Sequence, residues 1–240
     1  MGRTKRPERL RGLRAASIVA LAVVVVSTWL LAAGVVALYG WGSWRTPPLP
    51  APRSDGIDAR SRAMYWRMHA GDGPMRMPRA TPLRVATTLL RSRDVLLGRS
   101  PRPEQILGIA TRATFEPLQQ NPPAGDWILW SWTRRLQLSQ AWTGEQAVDH
   151  VLSSIRLRDG GRGLRDASAR WYAMAPERLG DAERLVLLVA MDVHANPACD
   201  PRHFVLRVRR SATRVGIDPE HALADARRRM VATCAPAPAA

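Results

Sequence analysis

The stretch WTGEQAVDHVLSSIRLRDGGRGLRDASARWYAMAPERLGDAERLVLLVAM, Trp142–Met191, decides the fold. Thr143 with Gln146 three positions on is a capping-box pattern. Val148, Val151, Leu152 and Ile155 then recur at helical spacing. DGGRG, Asp159–Gly163, ends that helix in a turn. Leu164–Met174 reads as a second helix. Asp181 introduces a third around the apolar run Leu185–Met191. No alternation with a period of two reaches a useful length, so the expected fold class is mainly α.

Working outward upstream, Asp126 is the expected N-cap of DWILWSWTRRLQLSQAW. This helix carries Trp127, Trp130 and Trp132, whose spacings of two and three cannot share one face. Some of these rings are expected in the core and the rest toward lipid. Glu116–Gly125 is a break. Pro103 opens a helix with Ile106, Leu107, Ile109 and Ala110 inward. Thr81-Pro82 reads as a cap followed by a first-turn proline, with Leu83, Ala86, Leu89, Leu90 and Leu97 in phase before Gly98. Arg60–Ala70 is a short helix ending at GDGP. Downstream, Pro201–Val215 is a basic helix with Val205 and Val208 inward. Asp218-Pro219 starts the last helix, and the terminal APAPAA frays.

At the other end, thirty residues from Ala15 to Trp44 contain no charged side chain. Crossing a bilayer takes ~20 apolar residues in a helix. Arg3, Lys5, Arg6, Arg9, Arg11 and Arg14 precede the run, opposed only by Glu8, and positive flanks stay cytoplasmic. A cleaved signal peptide would have a shorter apolar core and a small-residue cleavage site. This run instead ends among Leu38, Tyr39, Trp41 and Trp44, residues suited to a membrane interface. The expected organisation is a basic cytoplasmic tail (1–14), a membrane anchor (15–44), a proline-rich spacer (45–58), a helical domain outside the membrane (59–232) and a disordered tail (233–240).

The chain has 240 residues and a net charge of +16, from 36 basic and 20 acidic side chains. About +10 of that lies beyond the anchor. A basic domain on the outer side of a membrane excludes nucleic acid as its partner. Anionic lipid or an anionic wall polymer fits better. Lys5 is the sole lysine, so the positive charge is almost all arginine. Cys199 and Cys234 face an oxidising compartment that permits a disulfide, with Cys234 in the mobile tail. Asp192, His194, Cys199, Asp200 and His203 cluster in sequence, but their spacing fits no structural-zinc pattern. No metal or other cofactor is expected.

Residues 127–210 resemble the peptidoglycan glycosyltransferases of family 51, found as monofunctional transglycosylases and in class A penicillin-binding proteins. In that family a glycine opens a helix of small residues, followed by arginine and an aromatic pair. Gly163, Ala167, Arg170, Trp171 and Tyr172 keep this order. An acidic residue in an alanine/leucine helix comes next, matched by Leu179, Glu183, Leu185, Leu187 and Leu188. Asn196-Pro197 and Arg209-Arg210 resemble the segments that close the domain, and Trp142–Gly161 resembles the helix and turn before the glycine. The resemblance implies a lysozyme-like helical domain on the outer face of a bacterial cytoplasmic membrane. It would act on lipid-linked disaccharide.

The reaction needs a base for the attacking hydroxyl and cations for the departing pyrophosphate. The family takes its base from a Glu-Asp pair. Here Asp94 matches the second acid, but Arg93 stands where the glutamate belongs, and arginine cannot act as a base. Ser131 occupies the position of the second glutamate, with Trp127 and Ile128 where a basic pair is expected. Glu104 and Glu116 are the carboxylates that local realignment could recruit. Gln119 and Gln120 resemble the family's paired glutamines, and with Arg170 they are the candidate substrate contacts. The first expectation is therefore a non-catalytic relative that binds lipid-linked precursor, glycan strand or a wall-synthesis protein. An active divergent glycosyltransferase is the second, and an unrelated helical envelope scaffold the third.

Overall fold

The computed structural model describes residues 6–54, 56–81, 103–115, 124–155, 161–192 and 201–233. The chain divides into two compact units, Met1–Pro47 and Pro48–Ala240. In the first, a 40-residue helix α1 (Arg6–Arg45) contains the apolar stretch Ile18–Arg45, 28 residues with mean hydropathy 2.5 and none of its apolar window buried. At 1.5 Å per residue that stretch is roughly 42 Å long, enough to cross a bilayer. Its one threonine is compatible with lipid, because the Thr28 hydroxyl donates to the Val24 carbonyl at 2.8 Å. At its end the Arg45 guanidinium lies 5.4 Å from the Trp41 ring centre.

The second unit is helical, with no strand among the described residues. Its helices are α2 (Ala59–Ala70), α3 (Pro103–Phe115), α4 (Ala124–Ala141), α5 (Gly144–Ser154), α6 (Gly163–Tyr172), α7 (Asp181–Asp192), α8 (Pro201–Val215) and α9 (Pro219–Thr233), with a 3-10 turn at Pro176–Arg178. Helix α7 is the centre of one layer, because Leu185–Met191 is buried on every side. An all-round apolar helix has to be enclosed, and α6, α8, α9 and α2 enclose it. A second layer packs α3 against α4 and α5. Helix α2 joins the layers, touching α3 and α5 on one side and α7 and α8 on the other. Tyr65, Trp66 and Met68 of α2 are buried in the join.

Two glycines fix close passages of the chain. A Cβ on Gly144 would lie 2.3 Å from the Met75 carbonyl oxygen, so the 71–81 segment crosses directly over the first turn of α5. Gly163 has φ +74, and a Cβ there would come within 2.9 Å of the Ser153 carbonyl oxygen. Its N–H donates to the Ile155 carbonyl at 2.8 Å, which closes the turn between α5 and α6. Both the sign of φ and the space demand glycine.

Polar side chains bolt the layers together. Arg184 of α7 is fully buried. It donates from Nε to Ser61 Oγ (3.1 Å), from Nη1 to Asp181 Oδ1 (3.2 Å) and from Nη2 to the Pro176 carbonyl (3.1 Å). Asp58 caps α2 by accepting from the Ser61 N–H and lies 3.8 Å from Arg184 Nη2. Arg62 of α2 grips Asp149 of α5 with two bonds, 2.7 and 2.9 Å. The buried Tyr172 hydroxyl donates to Asp225 of α9.

The expected capping box is present in full, with Thr143 Oγ1 accepting from the Gln146 N–H and Gln146 Oε1 accepting from the Thr143 N–H. Glu183, read as the acid of an apolar helix, caps that helix by accepting from the Gly180 N–H at 3.0 Å. Asp126 is a correction. The helix starts two residues earlier, at Ala124, and Asp126 falls in its first turn. Pro122-Pro123, just ahead in sequence, favours that earlier start. Helix α6 also stops at Tyr172 rather than Met174, because Ala173 turns left-handed at φ 54. The helix expected over 82–97, and the pairing of Cys199 with Cys234, lie outside the described residues.

Candidate functional site

Helix α3 carries Glu104, Gly108 and Arg112 four residues apart, on one face. Helix α4 carries Trp127, Ser131 and Arg135 with the same spacing, and the two helices pack together. The Arg135 guanidinium lies against α3 where Gly108 leaves room, since a Cβ on Gly108 would sit 3.1 Å from Arg135 Nη2. Arg112 is one turn further along α3. Burial, and then the charge of Arg112, lower the Arg135 pKa. Arg135 Nε is buried without a hydrogen-bond partner. Among the described residues, no carboxylate comes within ion-pair distance of Arg112 or Arg135.

Arg134, the neighbouring residue, leaves α4 on another side and is enclosed. It donates to Gln137 Oε1 at 3.3 Å and to the Pro48 carbonyl at 3.4 Å, and lies 5.1 Å from the Phe115 ring centre. Burial lowers its pKa to about 10, so it stays charged at neutral pH. Phe115 in turn meets Trp127 edge-on at 5.5 Å and Trp130 at 5.8 Å. Of the three α4 tryptophans expected to divide between core and lipid, none is fully buried. Trp130 and Trp132 are half-buried. Trp127 is 37% exposed, and Ile128 beside it is 63% exposed.

Further along, His150 of α5 is almost wholly buried against Trp142, ring centres 4.7 Å apart. Its Nδ1 accepts from the Arg53 N–H at 3.3 Å, which assigns the proton to Nε2. Burial first, then the charges of Arg53, Arg162 and Arg134, push its pKa down to about 4. The imidazole is therefore neutral at pH 7. His69 of α2 behaves similarly. It stacks 4.5 Å from Tyr65 and stands 3.7 Å from Asp192, which is held by Arg207 at 2.8 Å. Burial outweighs Asp192 and lowers the His69 pKa.

Of the residues expected to carry function, Glu104 lies half-buried in the first turn of α3. Ser131 is 7% exposed, one turn before Arg135. Both belong to the two packed stripes. Arg170 sits exposed in the last turn of α6. Arg93, Asp94, Glu116, Gln119 and Gln120 lie outside the described residues. Among the described residues, no group of three or more His, Cys, Asp or Glu could hold a metal ion. Within the sequence cluster considered for zinc, Asp192 is engaged by Arg207 and His203 is exposed, while His194, Cys199 and Asp200 are outside the described residues.

Sequence reading passes over Arg112 and Arg135. Their available signal is negative: α3 and α4 together hold three arginines after Glu104, and α4 has no acid beyond its first turn. No model of a protein family matches the chain, and no curated protein matches it.

Proposed function

We propose that the chain is a membrane-anchored, non-catalytic relative of the family 51 peptidoglycan glycosyltransferases. Its helical domain, lysozyme-like in this reading, binds lipid-linked wall precursor, glycan strand or a wall-synthesis protein. The observation that carries the proposal is Gly163. It opens α6 with a left-handed φ in a space that rejects any Cβ. The order that follows it is the order of the resemblance: small residues, Arg170, Trp171 and Tyr172, a short connection, then Glu183 capping an apolar helix.

Loss of catalysis is supported by Ser131, a buried hydroxyl at the position where the resemblance expects a glutamate. A serine hydroxyl carries no charge and does not act as a base in place of a carboxylate. Helix α1 supports anchoring, and the arginines ahead of its apolar stretch support an N-terminus inside a bacterial cytoplasmic membrane. The domain then faces the leaflet where lipid-linked wall precursors accumulate.

The test is incubation of the detergent-solubilised chain with labelled lipid-linked disaccharide. The expected result is binding without polymer. Polymer that disappears in Glu104→Gln would overturn the non-catalytic reading and make Glu104 the base, an assignment favoured by its place on the same stripe as Arg112. Absence of binding to precursor and to glycan strands would overturn the family reading.

A further inference from the structure

We infer that Arg112 and Arg135, on the facing stripes of α3 and α4 around Gly108, form a binding site for a phosphate-type dianion. The site goes beyond the proposed function. The resemblance expects its cations at positions 127 and 128, and those residues are tryptophan and isoleucine in this chain. The argument rests on charge and space within α3 and α4.

A guanidinium has five N–H donors, and burying a charge without a partner is strongly unfavourable. Several other arginines of this domain have carboxylates: Arg62 has Asp149, Arg184 has Asp181 and Asp58, Arg207 has Asp192 and Arg228 has Asp225, while the enclosed Arg134 bonds to Gln137 and the Pro48 carbonyl. Arg135 differs on two counts. It has no carboxylate among the described residues, and the charge that acts on it is that of a second arginine. Its Nε–H is buried and unpartnered. Gly108 removes the one side chain that would lift the guanidinium off α3. Arg135 is only partly covered and Arg112 is exposed, so an incoming anion has access to both. A dianion between them would relieve the repulsion and accept from both forks, which is the geometry arginine offers to phosphate. A carboxylate monoanion would neutralise only one of the two charges. The exposed Trp127 and Ile128 lie two turns back along the α4 stripe, an apolar border for a ligand with a hydrocarbon portion.

A soluble phosphate and a lipid headgroup share this chemistry, and the experiment separates the two sources. The full chain in detergent micelles is titrated with inorganic pyrophosphate by calorimetry, and its melting temperature is read with and without pyrophosphate. In parallel, the chain in the same micelles is titrated with mixed micelles, plain or carrying a polyprenyl pyrophosphate. The expected result is a rise in melting temperature of the wild type that vanishes in Arg135→Gln. Affinity should fall about tenfold in Arg135→Gln and by less in Arg112→Gln, as for loss of charge-assisted hydrogen bonds. Arg135→Lys should retain part of it. Arg210→Gln, an exposed arginine on α8, should bind as the wild type does. Binding of free pyrophosphate identifies a soluble source, and binding only of the micelle-borne polyprenyl pyrophosphate identifies a headgroup; either supports the site. Unchanged binding in Arg135→Gln, equal loss in Arg210→Gln, or no binding in either arm overturns it. Circular dichroism of Arg135→Gln without ligand separates lost binding from lost fold. Retained pyrophosphate binding with no affinity for lipid-linked disaccharide would remove the wall reading and leave this site standing.

Discussion

Arg184 and Arg135 are both arginines on helices of the same domain, yet their surroundings are opposite. Arg184 is enclosed and fully answered, by two carboxylates, a hydroxyl and a carbonyl drawn from α2, α7 and the 3-10 turn. Arg135 is half-enclosed, and the charge acting on it is that of another arginine. The difference separates two uses of one residue type. A buried cation with every nitrogen bonded is a joint between elements, whereas Arg135 keeps a buried Nε without a partner.

The largest expected effect comes from breaking the joint. Arg184→Met leaves Asp58 and Ser61 at the start of α2 without their guanidinium, and should cost ~3–5 kcal/mol of unfolding free energy. Denaturant unfolding of the chain in micelles checks it, and a loss under ~1 kcal/mol would mean that the joint is ornamental. Acidification should have the next largest effect. His150 has its folded pKa lowered to about 4, so the unfolded chain takes up a proton at higher pH than the native one does. Stability from this group is complete above pH ~6.5 and is lost as pH falls toward 4, on the order of 2–3 kcal/mol. His69, also lowered by burial, adds in the same direction. Unfolding curves at pH 7 and pH 4.5 measure the loss, and His150→Gln should flatten it; an unchanged slope in that variant would assign the acid sensitivity elsewhere. Arg135→Met should have the smallest effect and the opposite sign, a gain of about 1 kcal/mol in the absence of any anion. A clear loss in the same unfolding assay would make Arg135 a second joint and erase the contrast.

Much of the helical pattern is legible in the sequence because it is local. The capping box at Thr143 and Gln146, the proline starts at Pro103, Pro201 and Pro219, and the glycine turn before α6 are each written within a few residues. Asp126 was less legible, because a proline pair and an aspartate offered competing starts a few positions apart. The polar contacts were invisible for another reason. Arg184 sits at the edge of an apolar run and reads as a solvated charge. One of the groups that receive it is Ser61, 123 residues away in the sequence. Arg112 and Arg135 likewise come together only once α3 and α4 are packed, and no local pattern records which arginine will lack a carboxylate. The resemblance to the glycosyltransferases directs the eye to missing acids; the cations one and two turns beyond them needed the fold.

The bond from Tyr172 to Asp225 has a consequence in time. Its two ends are 53 residues apart, and the acceptor lies in the last helix. During synthesis at 5–20 residues per second, the phenol is made roughly 3–10 s before its acceptor exists. Helices α6 and α7 therefore emerge first, with the phenol open to water until α9 arrives to seat it. The newborn domain closes from its end, and a chain cut short before Asp225 would present quality-control proteases with a layer that never locked.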